Sequence, residues 1–276
     1  DIRTKNKNNC TTIGVFCVRI CLIDKKVSTL FVQKRHYSPV MPRLTKWYLG
    51  AFVDDELVGV ITLGWGTRPM HTIRKLFPEL GTSDYFEIGK MCMDESMPRN
   101  SESQFLSKTI EWMKNNTNCM YLFTWADGIV GKAGYVYQSA NFLYGGFIWS
   151  DIYVAKTGEK IHPRTMGKFV KGARPTFEER KNMEIDSVFG KQFRYIYPLN
   201  KTARKYLKRS STVEWTINYP KDDALGWKIK KSGEKKYTYS KTMPFKYDGT
   251  SVDYNSKNVN WISDKYGTTN LEEFFA

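Results

Sequence analysis

Residues 85–125 constrain the fold most tightly. Tyr85–Asp94 and Cys119–Trp125 are short runs rich in aromatic and aliphatic side chains, and both read as strands. Between them, Ser101-Glu102-Ser103-Gln104 opens a helix, with Ser101 as N-cap and Gln104 closing a capping box. Phe105, Leu106, Thr109, Ile110 and Met113 then form one apolar stripe at helical spacing, and Asn115-Asn116 ends it. A strand, a one-sided helix and a second strand bury their apolar faces together only in a layered α/β arrangement.

The flanking sequence extends that pattern. Ile13–Ile23 reads as a strand and Leu30–Tyr37 as a short helix ending before Pro39 and Pro42. Trp47–Val53 and Leu57–Trp65 flank Asp54-Asp55-Glu56 as a hairpin. Arg68–Leu80 has helical spacing, Tyr135–Tyr144 reads as a helix stopped by Gly145-Gly146, and Phe147–Ala155 as a strand. A basic loop-and-helix region (162–184), a strand (Phe193–Tyr197) and a basic helix (Thr202–Arg209) follow. The expected fold class is α/β, a mixed central sheet with flanking helices. A catalytic domain over 11–209 carries a basic, Tyr/Lys-rich C-terminal extension over 210–276, where Trp215, Trp227 and Trp261 argue against disorder.

Charge narrows the partners. The formal net charge is +15, with 15 basic against 6 acidic side chains in residues 151–209 alone. A concentrated positive region suits a polyanion such as nucleic acid, and a solvated basic face is the plainer alternative. Lys168, Lys171, Arg174, Arg204, Lys205, Lys208 and Arg209 are the candidate phosphate contacts. No apolar run is long enough to span a bilayer. The five cysteines (10, 17, 21, 92 and 119) form no C-x-x-C pair, which favours reduced thiols over a disulfide or zinc framework. The histidines, His36, His71 and His162, show no metal-ligand spacing, and no P-loop, G-x-S-x-G or G-x-G-x-x-G run occurs.

Two strand-to-helix loops are candidate chemistry. The loop with Arg99, Asn100, Ser101 and Ser103 would present helix N–H groups to an anion, or Ser101 simply caps. Asp127 ends a buried strand before a glycine-rich connection, as a base, a metal ligand or a turn residue. Beyond it, Tyr137, Asn141 and Tyr144 share a face of the expected helix, and Gln138 and Asn141 are suited to base-edge hydrogen bonds unless the segment is packing.

These pieces resemble a known family. RHYSPVMP (35–42), YLGAFVDDELVGVITLGWG (48–66), YFEIGKMCMDESMPRNSESQFLS (85–107), LFTWADGIVGKAGYVYQSANFLYGG (122–146), HPRT (162–165) and KQFRYIYPLNKTARKYL (191–207) are similar, in order and spacing, to the Mom family of phage DNA modification proteins. That family is an offshoot of the GNAT acyltransferase superfamily. The resemblance implies a GNAT-like fold and transfer of a carbamoylmethyl group to the exocyclic amine of adenine in double-stranded DNA. The modification protects phage DNA from host restriction, in the cytoplasm of the infected bacterium.

It also implies roles. Asp127 would orient the amine or take its proton. Tyr137 and Tyr144 would bind the donor or protonate its leaving group, and His36 and Tyr37 would face the same site. Arg99, Asn100, Ser101 and Ser103 stand where GNAT enzymes grip a pyrophosphate, yet without the glycines of that motif. The small-molecule donor therefore stays open, with an acyl-coenzyme A-type compound one candidate, as does a divalent metal on His36, Asp127 and a tyrosine. Oligomeric state is open too. Two alternatives stand beside this reading: a coenzyme A-dependent N-acyltransferase on a small amine or protein, and a non-catalytic DNA-binding protein on the same fold.

Overall fold

The computed structural model describes residues 18–66, 69–161, 163 and 174–247. Its strands are β1 (Arg19–Leu22), β2 (Thr45–Val53), β3 (Glu56–Gly64), β4 (Tyr85–Met93), β5 (Tyr121–Asp127), β6 (Leu143–Val154), β7 (Lys160–Ile161), β8 (Asp186–Pro198), β9 (Trp227–Lys230) and β10 (Thr238–Ser240). The helices are α1 (Lys25–Arg35), α2 (Pro69–Leu76), α3 (Ser101–Asn116), α4 (Tyr135–Ser139), α5 (Phe177–Asn182) and α6 (Lys201–Ser210). One sheet runs β1-β2-β3-β4-β5-β8-β6-β7, and β9 joins β8 and carries β10. Among the described strands only β4 and β5 pair in parallel. This is the expected mixed α/β class.

Period-two alternation sorts the two faces. Phe105, Leu106, Ile110 and Met113 of α3 pack on Leu49, Ile61, Leu63 and Phe86. On the other face, Phe31 and Val32 of α1 meet Phe52 and Val60, while Ile73 of α2, Phe77 just beyond it, and Ala203 and Leu207 of α6 meet Tyr121, Phe123 and Ile196. The β2–β3 hairpin closes through Asp54 and Asp55, both left-handed (φ 47° and 67°), as a two-residue turn requires.

A bulge shapes the centre of the sheet. Thr62 pairs with Lys90 but Leu63 pairs with Ile88, so Gly89 is an extra residue in β4. The fully buried Thr62 accepts the Lys90 N–H on Oγ1 at 2.9 Å. A side chain at 89 would press on Pro42, at 2.6 Å from its Cγ. Register pairing of β4 with β5 ends at Glu87–Phe123, just before the bulge. Beyond that point the strands part and leave a cleft.

Three local expectations are corrected. Ser101 does not cap α3; the cap position is Asn100, left-handed at φ 72° with no side-chain cap bond, and Ser101 Oγ instead donates to Pro98 O at 2.6 Å. The helix expected over 135–144 ends at Ser139. Asn141 takes a left-handed turn (φ 61°), and Leu143 and Tyr144 already pair with Ile196 and Tyr195 of β8. Gly145-Gly146 is therefore a bulge in β6 and not a helix stop, and Tyr137, Asn141 and Tyr144 share no helical face. In the expected N-terminal strand, Arg19–Leu22 is β1 and residues 13–17 lie outside the described residues. His162, Lys168 and Lys171 also lie outside them. Residues 227–240 extend the sheet as a hairpin on β8.

Thr62→Val keeps the shape and removes the acceptor at the bulge. A buried N–H left unpaired costs about 1–3 kcal/mol. The variant is expected to unfold at lower denaturant with an unchanged m-value, measured by chemical denaturation. An unchanged midpoint would show that the bulge does not depend on Thr62.

Candidate active site

The cleft collects side chains from four segments. β5 delivers Asp127 at its last position. α1 runs from Asp24, whose carboxylate caps Lys26 N–H at 2.6 Å, to Arg35, and the chain leaves its end as His36-Tyr37. Arg35 is pinned to Asp94 beyond β4 by an ion pair (2.7 Å), which fixes that exit. The Tyr37 hydroxyl then donates to Asp127 Oδ2 at 3.4 Å. His36 stacks on the Tyr37 ring (centroids 4.4 Å), and Ser38 N–H donates to its Nδ1 at 3.0 Å. Tyr247 meets Tyr37 edge-on at 6.1 Å.

The electrostatics are unusual for a carboxylate. Burial pushes the Asp127 carboxyl above its ordinary range, against the opposing pull of Lys160, a backbone N–H at Ile129, Tyr37 and Lys90. Asp127 Oδ1 is buried and has no hydrogen-bond partner. Burial pulls the Lys90 ammonium down to about 8. Burial, then the Lys90 and Lys132 charges, holds the His36 imidazole well below its usual range, so it is neutral at pH 7. Lys132 also sits 4.5 Å from the centre of the Tyr37 ring. Burial and the Asp127 charge keep the Tyr37 phenol protonated. The result is one carboxylate with an unused oxygen among three lysines, a neutral imidazole and a phenol.

The structure thus brings His36, Tyr37 and Asp127 together. Tyr137 lies near Tyr37, its ring packed on Phe142 and Tyr195 at 5.6 Å each. Tyr144 stands elsewhere, against Phe193 and Tyr195 and bridged by its backbone to Thr216. The Gln138 amide is committed inside the protein: Nε2 donates to Tyr195 Oη and Pro220 O, and Oε1 accepts from Lys221. Asn141 is exposed and its N–H closes the turn onto Gln138 O. Arg99 and Asn100 lie exposed in the loop before α3, and Ser103 Oγ bonds Ser139 Oγ at 2.7 Å, tying α3 to α4. Arg174 is exposed and pairs with Asp151 at 3.3 Å. Arg204, Lys205, Lys208 and Arg209 are exposed on α6, whose Ala203 carbonyl accepts from Tyr121 at the opposite end of β5 from Asp127. Six strand residues separate those ends, about 20 Å. The sequence reading missed Lys90, Lys132 and Lys160. A lysine inside the apolar run Ile88–Met93 is the signal that marks Lys90.

A carboxylate with a free oxygen, set among cations in a mixed sheet, can take up a proton, and the relatives make the chain a transferase. The chain belongs to the Mom protein family, whose sequence pattern matches residues 17–221. It is 32% identical over 192 residues, 69% of this chain and 79% of the relative, to methylcarbamoylase mom of Escherichia phage Mu. Among solved structures it is similar to the ribosomal-protein-S5-alanine acetyltransferase of Vibrio fischeri. That match has a TM-score of 0.39 and 12% identity, over 70% of this chain and 98% of that one. It is also similar to an aminoglycoside acetyltransferase in complex with coenzyme A and kanamycin. There the TM-score is 0.37 and the identity 11%, over 48% of this chain and 87% of that one. No helix among the described residues is long and apolar enough to cross a membrane.

The Lys90 shift has a sign in stability. Its pKa is about 8 in the fold against 10.5 when unfolded. The unfolded chain therefore holds more protons between those values, and stability from this group rises with pH across that window. Lys90→Met is expected to raise Tm at pH 7 by about 2–4 °C or more. The gain should fade between pH 8 and 10.5. A lower Tm, or a gain that does not vary with pH, would show that Lys90 is not held at a cost in the cleft.

Proposed function

We propose that the chain modifies DNA, transferring a carbamoylmethyl group to the exocyclic amine of adenine, with Asp127 as the proton acceptor. The observation that carries this reading is the buried, unpartnered Asp127 Oδ1 beside Tyr37-bonded Oδ2. Membership of the Mom protein family and the likeness to a methylcarbamoylase supply the reaction class.

The amine lone pair of adenine is conjugated into the ring and attacks poorly, so a proton acceptor must be waiting for it. A carboxyl raised by burial is a better base than a solvated one. Tyr37 holds Oδ2 and so leaves Oδ1 to face the amine. Lys90, Lys132 and Lys160 offset negative charge that develops on the donor. Reaching the amine requires the base to leave the stack.

Two groups were tested for fit. The α3 loop does not suit a coenzyme A pyrophosphate. It lacks the glycines that let backbone approach an anion, it places the Glu102 carboxylate in the first turn, and Ser103 is tied to Ser139. A divalent cation does not suit the site either. Lys90, Lys132 and Lys160 crowd it with positive charge, the Tyr37 phenol stays protonated, and no group of three His, Cys, Asp or Glu side chains placed to hold a metal occurs among the described residues.

The test is nucleoside mass spectrometry on plasmid DNA from bacteria making the wild-type chain or Asp127→Asn. Wild type is expected to give a deoxyadenosine heavier by a carbamoylmethyl group. The variant should give at least about a hundredfold less. An adduct that persists in the variant removes Asp127 from the chemistry, and an adduct on another base corrects the substrate.

A further inference from the structure

Beyond Asp127 the sheet continues into a surface that the reaction does not use. β8 pairs with β6 along one edge. Its other edge is taken by β5 as far as Asp127–Gln192, and then by β9 from Gly190–Trp227 to Ser187–Lys230. One face of this β6–β8–β9 extension is closed by core, with Val188, Trp227 and Ile229 packed on Ile129. Among the described residues the opposite face is open, and rings alternate with cations across it. Lys228 lies 4.0 Å from the Trp149 ring centre, Lys230 4.2 Å from Tyr237, and Lys191 4.8 Å from Phe147. Tyr239 of β10, in register with Lys228, is 76% exposed.

At the far end α5 borders an open cavity of about 210 Å³ lined by Arg174, Phe177, Arg180, Ser187, Lys230 and Tyr237. Arg180 is only 7% exposed, and its Nη1 is buried without a hydrogen-bond partner. Arg194 Nε is a second buried guanidinium nitrogen without a partner, but Arg180 Nη1 belongs to a residue that lines a cavity, where an acceptor could complete it. Asp151 is the single carboxylate among the lining residues, and Arg174 neutralises it at 3.3 Å.

Cations and exposed rings at strand spacing match one ligand chemistry. A phosphodiester chain supplies anions for Lys228, Lys230 and Arg180, while the Lys191 ammonium already donates to Ala224 O at 2.6 Å. Unpaired bases supply flat faces for Trp149, Phe147 and Tyr239. A duplex supplies the first but keeps its bases stacked on one another. We infer that this face binds a single strand of DNA, with a phosphate in the Arg180 cavity and bases on the exposed rings. The inference rests on DNA being the substrate. By strand alternation Asp127 and Gln192 point to the other face, so this surface is separate from the site that holds the reacting base. β9 and β10 lie beyond the residues matched by the family pattern.

The test is fluorescence anisotropy of the full chain with a short labelled oligonucleotide, single-stranded and as its duplex, across a salt series. The wild type is expected to bind the single strand more tightly. Trp149→Ala and the exposed Tyr239→Ala should each weaken it about tenfold. Lys228→Gln with Lys230→Gln should flatten the salt slope by about one to two. Equal affinity for duplex and single strand, or wild-type binding by all these variants, overturns the inference. So does loss of binding through Arg204→Gln with Lys208→Gln instead. The reaction is scored separately by the plasmid adduct. A chain that binds the strand as expected but leaves no adduct overturns the proposed reaction and keeps this surface.

Discussion

The hydrogen bond from Lys90 N–H to Thr62 Oγ1 sets the geometry on which the site depends. It stabilises a one-residue bulge in β4, and the bulge coincides with the end of pairing to β5. A parallel pair that continued in register to Asp127 would fill its own hydrogen bonds and leave no room between the strands. Because the pairing stops at Glu87, the last turns of β4 and β5 can diverge around a cleft. The same bulge shifts the alternation of β4, and Lys90 and Cys92 then face α1, which delivers His36 and Tyr37. One side-chain oxygen thus links sheet geometry to the content of the site.

The site is expensive to hold. A carboxyl and an ammonium are both buried there, and each is shifted toward its neutral form. Pairing them fully would lower that cost, yet Asp127 Oδ1 is left without a partner. Polar groups kept unsatisfied at a cleft are what a ligand or reacting atom completes. The neutral imidazole belongs to the same logic. With Lys90 and Lys132 already positive, a third cation at His36 would be repelled, and the ring stays a nitrogen donor and a stacking surface.

Much of this was legible in the sequence where local and global preferences agree. The α3 stripe, the Asp54-Asp55 hairpin and the buried strand ending at Asp127 are each encoded within a few residues. Asp127 is marked by the buried strand it ends, His36 and Tyr37 come from the family resemblance, and the structure sets Tyr37 against Asp127. The failures have long-range causes. Tyr144 was read into a helix because helical spacing continues to it, but cross-strand pairing with Tyr195 and a left-handed Asn141 outweigh that spacing. Ser101 was read as a cap from its type alone, while its hydroxyl is used by Pro98 O. Gln138 looked available for a base edge because its partners, Tyr195, Pro220 and Lys221, come from distant segments.

Charge shows the same gap between composition and placement. Residues 151–209 hold the largest basic excess, and α6 concentrates five exposed cations within it. Yet α6 sits at the start of β5, and Asp127 sits at its end. Part of the remaining excess is spent on ion pairs, Lys156 with Glu184 and Arg174 with Asp151, which add little to a phosphate-tracking field. Lys191, Lys228 and Lys230 are fewer, but the register of β8 against β5 and β9 places them within a few strand residues of the Asp127 row. They lie on the opposite face of the sheet from Asp127, so a polyanion held there is positioned near the site without entering it. The number of cations elsewhere on the chain adds attraction without alignment.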